Sequence, residues 1–167
     1  MLRAYLAAPF LDAPLVRDLD AKLVALGIDV TSTWADHANG PEALDRMPVE
    51  HVRGIALAND RDLLQAHIVV AFARDGAGAE MFAEVRLALA HRIPVLWVGS
   101  RRPLSAYRDG VLRSSSVEDG MILLSGFADV VSALAPFESR RARETIWDVV
   151  EALAAAQESR PRPRSVA

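Results

Sequence analysis

HIVVAFARDGAGAEMFAEVRLALAHRIPVLWVG, residues 67–99, is the stretch on which the fold turns. Its two ends, His67–Ala73 (HIVVAFA) and Ile93–Gly99 (IPVLWVG), are nearly continuous apolar runs. Strands of that composition belong to a parallel sheet whose two faces are both covered. A short loop, Arg74–Gly78, leads from the first run into a helix predicted over about Ala79–His91. Parallel strands need a long crossover between them, and a helix is its usual form.

The same alternation continues outward on both sides. Upstream, Val49–Ala66 reads as a helix with Val52, Ile55, Leu63 and Leu64 as inward positions, preceded by a long loop, Trp34–Pro48, that carries Asn39-Gly40-Pro41. Ile28–Thr33 is β-branched and alternating, and reads as a strand. Asp12 is an N-cap candidate for a helix with Leu15, Leu19, Leu23 and Leu26 at helical spacing, closed by Gly27. Arg3–Ala8 is the first strand, stopped by Pro9. Downstream, Arg101–Glu118 is polar and takes no clear element. Met121–Leu124 is predicted as the last short strand, with a helix around Ala128–Leu134. A second helix over about Arg140–Gln157 sets Ile146, Val149, Val150 and Leu153 on one stripe, with Trp147 beside it, which we expect to serve assembly into at least a dimer. Ser159–Ala167 is rich in Pro and Arg, the composition of a disordered tail. The expected architecture is α/β: a single domain over residues 1–158, built on a doubly wound parallel sheet of about five strands with flanking helices. Ligands of such sheets bind outside the carboxyl ends of the strands. Here those ends are Ala8-Pro9-Phe10, Trp34-Ala35-Asp36, Arg74-Asp75-Gly76 and Gly99-Ser100.

Composition narrows the chemistry. The chain has 167 residues and a formal net charge of −3, without the basic surplus of a nucleic-acid partner. It has no cysteine, which removes disulfides, thiolate metal sites and cysteine nucleophiles. His37, His51, His67 and His91 are scattered without metal-ligand spacing, so no metal is expected. No GxGxxG, P-loop or GxSxG pattern is present, and no cofactor is implied. The opening MLRAYLAAPF is too short for a signal peptide, and no run approaches the roughly 20 apolar residues of a membrane span. The expectation is a cytoplasmic protein with neither membrane nor nucleic-acid partners.

Carboxylates are the remaining candidates. Glu84 lies within the predicted helix among Ala83, Leu87 and Ala88, a setting that turns it toward the sheet. Glu80, one turn earlier, reads as solvated surface. The run AEVRLALAHRIPVLWVG resembles a segment of nucleoside 2-deoxyribosyltransferases in which a glutamate precedes an alanine-alternating helix ending in Pro-Val. Glu84, Ala88, Ala90 and Pro94-Val95 fall at that spacing. RAYLAAPF is similar to the family's first strand, with Tyr5 at its tyrosine and Pro9-Phe10 at its turn. NDRDLLQAHIVVAFARDG is similar to a helix aspartate, here Asp62, followed by an apolar strand that ends in Asp75-Gly76. The chain departs from the pattern at Arg86, Ala8 and Ala66-His67.

The resemblance implies cleavage of the N-glycosidic bond of a nucleoside or nucleoside 5′-monophosphate, the sugar passing to another base or to water. Glu84 would be the nucleophile at an oxocarbenium-like centre. Tyr5 would orient Glu84, and Asp62 or Asp75 would assist the departing base. Phe10, Trp34, Asp75 and Gly76 would line the substrate, which would lie between Tyr5–Phe10 and Asp62–Glu84. The resemblance also implies a homo-oligomer whose neighbour completes the pocket. Arg86 and Ser114-Ser115-Ser116 invite a phosphate reading, although a surface arginine and a polar loop explain them equally well. Two other classes stay open: an inactive nucleotide-binding or sensor module of the same fold, and a subunit-interaction protein using its C-terminal helix.

Overall fold

The computed structural model describes residues 1–37, 46–73, 78–99, 104–134 and 139–159. Five parallel strands form one sheet: β1 (Arg3–Ala7), β2 (Asp29–Val30), β3 (Ile68–Phe72), β4 (Val95–Val98) and β5 (Val111–Ser114). Their spatial order is β2-β1-β3-β4-β5, with Tyr5 level with Val69 and Val69 level with Val95. The helices are α1 (Ala13–Ala25), the short α2 (Trp34–His37), α3 (Val49–Gln65), α4 (Ala79–Ala90), α5 (Val117–Ala133) and α6 (Ser139–Glu158). The expected α/β class and parallel sheet are therefore what the chain adopts.

Every residue of β1 after Arg3, and all of β3 and β4, is buried. Both faces of these strands are covered, which is why their sequences run apolar without alternation. Neighbouring residues of one strand separate the two layers. Trp97 meets Phe82 of α4 at 5.9 Å between ring centroids, while Val98 faces Gly120 of α5. Leu19 and Leu23 of α1 join Met121 and Leu124 of α5 over Val70, Phe72 and Val98. Thus α1 and α5 cover one face, and α3 and α4 the other.

Several boundaries move. Met121–Leu124 is not a strand: it belongs to α5, capped by the Ser116 side chain, which accepts from the Asp119 N–H. A four-residue apolar run fits either element. Burial decides for the helix, because Leu124 is buried while Ile122 is 72% exposed. The fifth strand is Val111–Ser114, inside the polar stretch that had no assignment, and the helix expected at Ala128–Leu134 is the end of α5. The strand expected over Ile28–Thr33 shrinks to Asp29–Val30, and the loop from Trp34 opens with the helical turn α2. Asp12 occupies the N-cap position of α1, but its side chain does not make the capping hydrogen bond, and Gly27 follows the helix at φ +73°. Of the inward positions on α3, only Leu63 is fully buried.

On α6, Ile146 and Val150 are fully buried in this chain's own core, with Trp147 nearly so. Val149 is half-buried and Leu153 is 38% exposed, so most of the stripe, though not all of it, packs within the protein. Among the described residues no helix is long and apolar enough to cross a membrane.

Candidate active site

The order β2-β1-β3 reverses direction between β1 and β3, the place where sheets of this topology open a ligand crevice. Tyr5 stands on β1 at that reversal and faces the α3–α4 layer. Its hydroxyl donates to Glu84 Oε1 at 2.6 Å. Glu84 reaches that point because it lies between Met81, Val85 and Ala88, the residues that seat α4 on the sheet. Arg86 is exposed, on a different side of the helix from Glu84.

The Tyr5 ring is fully buried. Burial, and then the Glu84 charge, push its phenol far above the ordinary range, so Tyr5 is a permanent donor. Burial also pushes Glu84 up to about 7. The Tyr5 hydrogen bond opposes that rise, while the charges of Glu80 and Asp60 add to it. A carboxyl poised near neutrality is suited to change its protonation state at work.

Asp62, on α3, makes a different contact. Its Oδ2 accepts from Thr33 Oγ1 at 2.7 Å and from the Thr33 N–H at 3.3 Å. It therefore holds the turn between β2 and α2 and touches neither Tyr5 nor Glu84 by hydrogen bond, although its charge acts on Tyr5. Trp34, at the start of α2, is only 4% exposed and donates its indole N–H to the Leu6 carbonyl at 2.8 Å. Phe10 stacks on it, with centroids 5.9 Å apart and planes at 30°. Phe10, half-buried, is the outer ring of that pair. Asp75 and Gly76 lie outside the described residues.

The expected residues thus form two groups around the end of β1: Tyr5 with Glu84, and Phe10 with Trp34. Sequence reasoning missed three contributors. Asp60, exposed on α3, bears with its charge on both Tyr5 and Glu84. Thr33 anchors Asp62, and Ser32 Oγ accepts the Leu6 N–H at 3.2 Å, extending β2 beside β1 through a side chain. The hydroxyl pair Ser32-Thr33 at a strand end was the available signal. The serine triplet spends its hydroxyls locally: Ser114 donates to the Ser116 carbonyl, Ser115 to Asp119, and Ser116 caps α5. Among the described residues no cluster of His, Asp and Glu could hold a metal.

No protein-family model matches the chain, and no curated protein does. Among solved structures it resembles a 2-deoxyribosyltransferase from the psychrotolerant bacterium Bacillus psychrosaccharolyticus, with a TM-score of 0.55 and 16% identity over 71% of this chain and 89% of that one. At that identity the likeness is one of fold. The parallel five-stranded sheet with flanking helices is consistent with the fold of that enzyme.

Proposed function

We propose that the protein cleaves the N-glycosidic bond of a nucleoside or nucleoside 5′-monophosphate, with Glu84 as nucleophile. The observation that carries the reading is the 2.6 Å bond from the buried Tyr5 hydroxyl to Glu84 Oε1 at the β1/β3 reversal. It leaves Oε2 to attack the anomeric carbon. The C–N electron pair departs with the base, which takes a proton from Asp75 or solvent, Asp62 being engaged as an acceptor by Thr33. Water or a second base then attacks the same carbon and releases the Glu84 carboxylate. Hydrolysis and transfer share the first half and differ only in the second acceptor. A solved structure with a similar fold is a 2-deoxyribosyltransferase, which supports this substrate class.

The test is base release from a panel of deoxynucleosides and their 5′-monophosphates, with and without a free acceptor base. Glu84→Gln keeps an acceptor for Tyr5 but loses the charge, and should lower turnover at least about a hundredfold. Turnover within a few-fold of the parent protein overturns the assignment. The rival reading, a sensor of the same ligands, draws on the pKa near 7, since a protonated Glu84 binds sugar hydroxyls without attacking. Saturable nucleoside binding with the glycosidic bond left intact would select it.

A further inference from the structure

Beyond the crevice, the molecule has a second concave feature that glycosidic chemistry does not use. A cleft of ≈ 510 Å³ lies between the turn after α4 and the first half of α6, walled by Arg92, Arg140, Arg143, Glu144 and Trp147. Arg92 lies two residues past the end of α4, and Glu84 is six residues before that end, about 9 Å along the helix axis.

Three guanidinium groups face one carboxylate there. Glu144 Oε1 accepts from Arg140 Nε at 2.9 Å, but both side chains are largely exposed, so the pair holds neither partner firmly. Arg143 Nε is buried with no hydrogen-bond partner among the described residues. A buried donor without an acceptor is uncommon and calls for one. Positive charge outnumbers negative around it: Glu144 is the one carboxylate among the cleft's described lining residues, and burial and then Arg3 lower the Arg143 pKa.

Arg92 adds a backbone argument. It holds φ +53°, the only positive φ at a residue other than glycine among those described. That position, just past the end of a helix, usually takes glycine. An arginine there costs of order 1 kcal/mol in strain, which persists where the side chain has a use. Its guanidinium lies 4.8 Å above the Trp147 ring, a contact that requires none of its N–H donors. Among the described residues neither Arg92 nor Arg143 is paired with a carboxylate.

We propose that this cleft binds a phosphate-class dianion, free or as the phosphomonoester of a small metabolite, through Arg92, Arg140 and Arg143. Planar guanidinium forks match phosphate oxygens in pairs, and neither Arg92 nor Arg143 spends its fork on a carboxylate among the described residues. The crevice at Glu84 takes no part in this binding.

The experiment is calorimetric titration of the full chain, at constant ionic strength, with inorganic phosphate in one arm and glycerol phosphate in another. Chloride serves as the monovalent control. Saturable binding in either phosphate arm, not reproduced by chloride, is expected, and the tighter arm identifies the source. Arg143→Gln should weaken it about tenfold or more, the worth of one charge-assisted hydrogen bond. Arg140→Gln, at an exposed position that folding does not require, should weaken it as well. Glu84→Gln should leave it unchanged, so that failure of the glycosidase reading and failure of this one are separable. Absence of saturable binding, equal binding of chloride, or affinity unaltered in both arginine variants overturns the proposal.

Discussion

Burial and hydrogen bonding pull the Glu84 carboxyl in opposite directions. Burial lifts it to about 7, and the Tyr5 hydroxyl restrains that rise by donating to the charged form. Tyr5→Phe removes the restraint and little volume. The Glu84 pKa should then climb further, by roughly one to two units for a hydrogen bond to a charged group. If the carboxylate is the working form, the rising limb of kcat/KM should shift to more alkaline pH by that amount. The loss should be larger at pH 6 than at pH 8. A limb that stays in place, with activity scaled down evenly, would make Tyr5 a packing residue. The pair itself was legible from the chain, since Glu84 sits among alanines and leucines and Tyr5 within an apolar strand. The role of Asp62 was not, because its partner, Thr33, is set by how β2 leaves the sheet.

Among the elements, the strands that read clearly were those buried on both faces, β1, β3 and β4, where sequence alone demands burial. β5 was missed because Arg113 and Ser114 occupy half of it, and its setting depends on α6. The Gln157 amide donates to the Arg113 carbonyl at 2.7 Å, and its oxygen accepts the Arg113 N–H at 3.4 Å. Arg113 also pairs with Glu158 at 3.6 Å and lies 4.6 Å over the Tyr107 ring. Thus the last turn of α6 completes a strand that no helix-sized segment of sequence announces. Gln157→Ala should cost roughly 1–2 kcal/mol, read as a fall in Tm. It should also speed hydrogen exchange at the Arg113 amide while leaving those of β3 unchanged. Unchanged exchange at Arg113 would mean that Trp147 and Ile146 hold α6 in place alone. The packing there is close, since any side chain at Gly110 would overlap the Trp147 ring.

At the scale of the whole molecule, a buried histidine and a half-buried glutamate act against each other in acid. Burial, then the charges of Arg3 and Arg143, lower His67 to about 4 from 6.5. Its ring stays neutral in the fold, with Nδ1 accepting the Arg3 N–H at 3.2 Å. A depressed histidine binds its proton preferentially when unfolded, so this contribution is complete above pH 6.5 and is lost as pH falls toward 4. Glu84, raised to about 7 from 4.5, has the reverse effect. Its contribution is present below pH 4.5 and is lost as pH rises through 7. Between those limits the two slopes oppose, and the parent protein should show a shallow stability profile. Glu84→Gln removes one of them. The variant should gain stability steadily from pH 4 to 6.5 and exceed the parent at pH 8 by about 2 kcal/mol, measured by urea unfolding. A variant less stable than the parent at pH 8 would show that Glu84 ionises freely in the fold.

The two outer strands of the sheet have a common property. β2 offers only two residues at its margin, and at β5 the outward N–H and C=O of Arg113 are already taken by a side-chain amide. A foreign chain seeking to lengthen the sheet finds at one border too few backbone groups to grip, and at the other a position already filled. Short or covered borders are how β-containing proteins resist strand-by-strand growth into fibrils. The last turn of α6 therefore guards a concentrated solution of the folded protein against aggregation at that border.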